Sequence, residues 1–370
     1  MAKVDIRLAD RSDDADLRRF VREADMEGRI RMSFPREPSY FDALEVEGRE
    51  AEVVIARERE SGALVGMGTG AAKPVYLNGE PRPLGYLSGL RVAPDYRNGL
   101  LLVRLYRMAK ERHDEHHVPM SLTTIVEDNT KAIEVLTSGK CGLPIYADRG
   151  SFLTMAVRLK RRNPFARSSG IRVRRATADD TGAVASFLNR EGARRQFFPV
   201  YEERDFASPT GLLRGLSIED VFLAFEGGAL VGTVAAWDQR GFRQSRITGY
   251  GGALRRGRRL YNVYARLAGY PSLPGPGSIL DHFFVALVAI KDDGVPVLST
   301  LLAEVFDAMN ASGTSFFTIG FHERDPLSEA MRGVRHFDYT TRLFVAHWEG
   351  ARADLERLDD RVPYLELGAL

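Results

Sequence analysis
The chain has 370 residues, long for one core and comfortable for two. At 44% hydrophobic and 28% charged it is not a disordered chain, and a net charge of +2 excludes a globally driven attraction to nucleic acid, so no DNA partner is expected. Cys141 is the lone cysteine, which excludes an internal disulfide and fits a cytoplasmic protein; the charged opening MAKVDIRLAD does not read as a signal peptide, and no apolar run is long enough for a membrane span.

In chain order, IRLADRSDDADLRRFV (Ile6 to Val21) reads as a strand, an Asp-bearing turn and a helix. VVIARERESGALVGMGTGAA (Val53 to Ala72) reads as a hairpin. From Leu84 to Leu136 the pattern is strand, tight polar turn, long amphipathic helix, strand, helix. The turn holds Arg97, Asn98 and Gly99 and opens into the helix at Leu100 and Leu101. A helix N-terminus presents unpaired N–H groups, glycine lets an anion approach the backbone, and arginine forks onto phosphate oxygens. This turn is therefore the candidate phosphate site. The helix ends in ERHDEHHVP, where His113, His116 and His117 place two imidazoles on one face. Helix C-termini favour such groups for their own reasons, and without a Cys or a clean carboxylate partner no metal site is expected.

Glu127 ends the next strand, Asn129 opens the following helix as an N-cap, and Tyr146 follows in GLPIYADRG. Glu127 and Tyr146 are the candidate proton-transfer groups, a carboxylate near the sheet opening where α/β sites gather and a phenol beyond it in sequence. KRRNPFARSSGI, from Lys160 to Ile171, reads as a linker. Beyond it the pattern repeats. VRRATADDTGAVASFL echoes the opening, VFLAFEGGALVGTVAAW echoes the hairpin, and FFTIGFHERDPLSEA echoes SLTTIVEDNTKA. The third echo is displaced by about 30 residues more than the first two, which predicts an insertion near Gln239 to Leu280. That segment carries eight arginines and no acidic residue, with Leu260, Val263, Tyr264 and Leu267 at helical spacing; a basic amphipathic helix there would suit an anionic partner. In the second half, Asp292 and Asp293 stand where the first half has its arginine turn, with no Arg beside them in sequence. The tail, Ala351 to Leu370, ends in PYLELGAL, which could add a strand to either half.

This order of elements resembles the GNAT acyltransferase superfamily, here in tandem. The fold class implied is α/β, with two GNAT-like domains, each a mixed, mostly antiparallel sheet flanked by helices. They would span residues 1–160 and 172–350, joined by a linker at 161–171, with the insertion at 239–280 and a tail at 351–370. The superfamily's acyl-CoA loop is commonly Arg/Gln-x-x-Gly-x-Gly/Ala. Arg97 and Gly99 match it with one residue missing, and Leu101 stands where a small residue is usual. Leu90, Arg91 and Val92 match the strand beside the pantetheine arm, and Asn129 with Ala132 matches the Asn-x-x-Ala helix start. The resemblance implies that Leu90, Arg91, Val92, Arg97, Asn98, Gly99, Leu100, Leu101 and Asn129 hold the acyl-CoA. Where many members carry a catalytic Tyr, this chain has Leu136, and Tyr146 is the candidate substitute.

The expected function is an N-acyltransferase using acetyl-CoA or another acyl-CoA in its first half. Its acceptor would be a small-molecule or peptide amine. Two other classes stay open: a transferase drawing its acyl group from a charged RNA, and a non-catalytic CoA-binding sensor.

Overall fold
The computed structural model describes residues 4–23, 30–97, 100–140, 142–159, 162–268, 270 and 272–370; Asn98, Gly99, Cys141 and Lys160 fall outside them. The first half runs β1 (Val4–Leu8), α1 (Asp14–Glu23), β2 (Ile30–Ser33), α2 (Tyr40–Leu44), β3 (Glu50–Glu58), β4 (Leu64–Leu77), β5 (Glu80–Val92), α3 (Leu100–Glu115), β6 (Met120–Val126), α4 (Thr130–Leu136) and β7 (Ile145–Arg158). The second runs β8 (Ile171–Arg175), α5 (Thr181–Gly192), α6 (Glu203–Ala207), β9 (Val221–Glu226), β10 (Ala229–Trp237), β11 (Arg246–Tyr250), α7 (Gly252–Ala268), β12 (His282–Ile290), α8 (Val295–Ser312), β13 (Phe316–His322), β14 (His336–His347) and α9 (Arg352–Glu356).

The two halves start by the same local chemistry. Asp10 and Asp13 form a capping box ahead of α1, as Thr177 and Asp180 do ahead of α5. In each case an arginine on the preceding strand forks onto the acidic residue: Arg7 onto Asp13 at 2.7 and 2.8 Å, Arg174 onto Asp180 at 2.7 and 2.7 Å. The Arg7 and Arg57 pairings hold the Asp13 carboxyl down at about 2 against the burial that would raise it. Further on, α8 buries Leu298, Leu301, Leu302 and Val305 completely against the second half's strands, each such side chain contributing about 1.5–3 kcal/mol.

The strands form one sheet of twelve, in the order β1-β3-β4-β5-β6-β14-β7-β13-β12-β10-β9-β8. Most pairings are antiparallel, and β5–β6 and β12–β13 are parallel, which is the mixed class expected. The order reads the same inward from either edge until the centre, where the halves exchange their last strands. β14 inserts between β6 and β7, with Thr341–His347 against Met120–Val126. β7 in turn pairs Phe152–Arg158 with Phe316–His322 of β13. The halves are therefore continuous through the sheet, and each completes the other where independent sheets were expected. The physical reason is that β6 and β13 each leave a ladder edge at the splay, and the exchanged strands satisfy both edges.

Between β10 and β12 lie β11 and α7, where β4 and β5 are joined by a tight turn at Asn78 and Gly79. β11 reaches back to the first half and pairs with β2 in a separate two-stranded sheet. The tail adds no strand to the large sheet. It makes one bridge, Pro363 to Gln196, and buries Leu365 and Leu367.

Candidate functional site
The parallel pair β5–β6 touches only at Gly85–Ser121 and Tyr86–Leu122 before the strands diverge. Gly85 is required at this apex, because a Cβ there would lie 2.0 Å from Ser121 Oγ. Just past the apex β5 bulges: Gly89 and Leu90 together face Gly68, and Gly89 has φ +62°. Into this splay opens a cleft of about 750 Å³, lined by both halves. Its walls include β4, β5, β6 and α3 from the first half and β11, β12 and β14 from the second.

The structure brings Leu90, Arg91, Glu127, Asn129 and Tyr146 to this cleft. Asn129 caps α4, accepting from the Ala132 N–H at 3.2 Å. Glu127 is exposed at the rim, held by its backbone N–H to Thr340 O at 3.0 Å. Tyr146 lies edge-on to Phe344 at 5.8 Å and shares a short hydrogen bond with the Tyr106 phenol. Burial pushes the Tyr146 phenol well above its ordinary range and Tyr106 up to about 12, so both are proton donors at neutral pH. Leu136 packs in the same cluster as Tyr106 and Tyr146.

Of the residues around the arginine turn, the described Val92, Arg97, Leu100 and Leu101 are not among those lining the cleft. Arg97 is exposed and its Nε donates to Val92 O at 3.0 Å, while Asn98 and Gly99 lie outside the described residues. Leu100 is exposed, Val92 is half-buried, and Leu101 points into the core at 4% exposure. Leu101 sits against Gly66, whose missing side chain leaves the room: a Cβ there would lie 3.2 Å from Leu101. The bulky residue in the loop is therefore accommodated inward. His113, one of the three clustered histidines, is buried with Nε2 2.9 Å from Ser121 Oγ, and burial lowers it to about 4, a neutral packing group. Among the described residues no group of three His, Cys, Asp or Glu could hold a metal ion.

Sequence reasoning missed Tyr106, Arg36 and Glu47, and counted Arg243 only as one of the insertion's arginines. Tyr106 is one of the residues by which amphipathic α3 faces inward, a signal that marks burial but no role. Arg36 and Glu47 lie in irregular segments flanking α2 with no motif around them. Glu47 is fully buried, accepts from Arg36 at 2.5 Å and from Ser88 at 2.6 Å, and lies 3.5 Å from Arg243. Burial would raise its carboxyl, and the two arginines hold it down.

The second half has the same bulge, with Leu287 and Val288 facing Val234 and Leu287 at φ +51°. Here the splay is filled by the tail. The Leu287 N–H donates to Glu366 Oε2 at 2.9 Å, and the Val288 N–H to the Tyr364 hydroxyl at 3.3 Å. Tyr364 also donates to Glu366 at 2.9 Å, and burial raises the Glu366 carboxyl. Asp292 and Asp293 are not left uncompensated: Arg194 reaches Asp292 at 3.0 Å and Arg195 reaches Asp293 at 2.5 Å, from about 98 residues earlier in the chain. The acidic turn is closed by internal ion pairs.

Residues 18–142 match the family model described as the acetyltransferase (GNAT) family. Among solved structures, the fold is similar to Saccharomyces cerevisiae N-myristoyltransferase with bound myristoyl-CoA, at 10% identity and TM-score 0.57, covering 94% of this chain and 79% of that one. It is also similar to a GCN5-related N-acetyltransferase from Sphaerobacter thermophilus, at 14% identity and TM-score 0.54, covering 99% and 98%. A fungal multi-domain GH3 β-N-acetylglucosaminidase with a GCN5-related glucosamine N-acetyltransferase region aligns at 13% identity and TM-score 0.61, over 93% of this chain and 38% of that one. No curated protein matches in sequence.

Proposed function
We propose that this chain, which has the GNAT fold, is an acyl-CoA-dependent N-acyltransferase built from two GNAT-like domains. The first, residues 1–160, would carry the acyl-CoA site, with acetyl-CoA the expected donor. The observation that supports this most is the contrast between the two bulges. In the second half the bulge N–H groups are taken by Glu366 and Tyr364 oxygens; in the first half the equivalent Gly89 and Leu90 face an open cleft. The tail oxygens show what such a bulge binds, and a thioester carbonyl is the corresponding acceptor. In the proposed reaction the amine nitrogen attacks that carbonyl, and the oxyanion is held by bulge backbone N–H groups. Glu127 at the rim takes one ammonium proton through water before attack; the C–S bond then breaks, and Tyr146 protonates the departing thiolate and recovers its proton from the attacking nitrogen. Tyr146, joined to Tyr106, stands in for the tyrosine missing at Leu136, which favours an enzyme over a sensor.

The turn of Arg97 to Leu101 is proposed to hold the pyrophosphate. Arg97→Ala is expected to weaken CoA binding by about 1.5–3 kcal/mol, the value of a hydrogen bond to a charged group. Titration calorimetry checks this and the stoichiometry of one site per chain. Unchanged affinity, or two equal sites, would overturn the assignment to the first half.

The anionic partner expected at the insertion is proposed to be a membrane surface. Of its arginines, Arg240 is paired with Asp238 at 2.6 Å and also with Asp281, Arg243 is inside the cleft, and Arg258 donates to Leu273 O at 3.1 Å. Arg255, Arg256 and Arg259 are exposed. Next to them α7 exposes Leu260 at 78%, Val263 at 61%, Tyr264 at 56% and Leu267 at 79%. An apolar stripe flanked by cations suits an anionic lipid interface, whereas two copies of so basic a helix would repel each other. No helix among the described residues is long and apolar enough to cross a membrane. The protein is expected to co-sediment with vesicles containing phosphatidylserine, and Leu260→Asp with Leu267→Asp should abolish this without changing the melting temperature. Equal binding to neutral vesicles, or a loss of dimer on mutation, would count against it.

A further inference from the structure
One wall of the cleft gathers three arginines, two of them paired with the buried Glu47 carboxylate. Arg36, Arg91 and Arg243 all line it, and Glu47 is the carboxylate among them. Glu52, also in the wall, is engaged by Arg112 at 2.8 and 2.9 Å. Arg36 is 7% exposed and gives Nη2 to Glu47, but its Nη1 is buried with no hydrogen-bond partner among the described residues. Arg91 gives Nη1 to Leu90 O at 3.0 Å, and its Nε is likewise buried without a partner among the described residues. Arg243 is held by Glu47 and by the backbone oxygens of Gly368, at 3.0 Å, and Leu370. A buried guanidinium N–H left unmade is costly, so two of them, on arginines that both line the cleft, point to an oxygen ligand that completes them.

These groups are tied to the reaction centre by direct contacts. The Arg36 guanidinium stacks over the Tyr40 ring at 4.9 Å, and the Tyr40 hydroxyl is 3.1 Å from Thr69 Oγ1. A Cβ on Gly89 would lie 3.3 Å from that hydroxyl and 3.2 Å from Thr69 Oγ1, so one aromatic ring separates Arg36 from the bulge. On the other side Glu47 accepts from Ser88, the residue before Gly89. Arg91 is two residues beyond Gly89 on the same strand.

We propose that the unpartnered N–H groups of Arg36 and Arg91, one ring and two residues from the Gly89 bulge, recognise an anionic group on the acceptor, so that the substrate is an amine bearing a carboxylate or phosphate a few bonds from its nitrogen. This rests on the acyltransferase reading. An acceptor of this class docks its oxygens against the planar guanidinium forks and turns its amine toward the bulge. The balance is that of amide formation: the N–C bond forms, the C–S bond breaks, and CoA leaves as the thiol with one of the ammonium protons.

The test compares matched acceptors at saturating acetyl-CoA, following free thiol release: phenylalanine against phenylalaninamide, and phosphoethanolamine against ethanolamine. At least one anionic member should be preferred by about 10- to 100-fold in kcat/KM, the worth of one or two charge-assisted hydrogen bonds. Which pair shows it separates carboxylate from phosphate. Arg36→Gln should collapse that ratio toward one. Because this change removes a partner of buried Glu47, Arg91→Gln, which breaks no ion pair among the described residues, is the second variant and should lower the ratio as well. If no amine turns over, the same pairs are titrated into the CoA-saturated protein, where the anionic member should bind more tightly by a similar factor. Neutral amines preferred, or ratios untouched by both variants, would overturn the proposal. Failure to bind CoA at all would instead sink the acyltransferase reading.

Discussion

Residues 1–160 produced without the rest of the chain are expected to give no folded monomer. In the intact protein β6 pairs with β14 over Met120–Val126, and β7 lies between β14 and β13. Removing the second half strips β6 of one ladder and β7 of both. It also exposes apolar side chains such as Phe152, Met155 and Val157, each buried to 2% exposure. Burial of about 1.5–3 kcal/mol per such side chain is lost, comparable in sum to the whole stability of a domain. The fragment should aggregate, or pair with another copy through the same exposed edges. Co-expression with residues 161–370 should restore a soluble complex, since the exchange is between strands and needs no covalent joint. Size-exclusion chromatography and circular dichroism decide it. A monomeric fragment with a cooperative melt would show that β7 can return to β6, and the exchange would then be dispensable.

Tyr146→Phe is expected to lower kcat by about 10²–10³-fold while leaving CoA affinity unchanged, as for the loss of a positioned general acid. The pH dependence carries the sign. Burial holds the phenol well above its ordinary value of 10, so it stays protonated from neutral pH up to at least 10. The Tyr146-dependent part of the rate should not fall as pH rises through that range. An alkaline loss beginning near 8 would mean that another group is the acid. Tyr106→Phe removes only the partner hydroxyl and should cost less. An unchanged kcat in Tyr146→Phe would end the assignment.

The repeats made the elements of the fold legible. The paired strand–turn–helix openings and the two GALVG hairpins are local patterns, set by capping residues and by antiparallel pairing across a short turn. The exchange of β7 and β14 was not legible, because periodicity says which residues form a strand and nothing about which neighbour it takes. Long-range charge pairing was hidden for the same reason. Asp292 and Asp293 look unpaired in sequence, and the arginines that compensate them belong to a segment almost a hundred residues earlier. At the site, Leu90, Arg91, Glu127, Asn129 and Tyr146 converge on the cleft, and the first four lie at or close to the end of a strand or the start of a helix that the pattern marked. Arg36 and Glu47 carry no such signal, since only the folded chain brings the two together beneath Ser88. The insertion was legible as charge but not as geometry. Its arginines divide among a surface pair, the cleft, a packing role and the exposed flank of α7.

Glu366 and Tyr364 on the bulge of the second half also act as a tethered competitor. A ligand carried by the same chain faces its site at an effective concentration on the order of millimolar or more, however dilute the protein is. An acyl-CoA arriving at micromolar concentration would have to displace a carboxylate that never diffuses away. Expelling it would also leave the Leu287 and Val288 N–H groups to be satisfied again. Occupancy of the second bulge is thereby set by covalent connection, and under the proposed assignment the protein would respond to CoA supply through the first half's site.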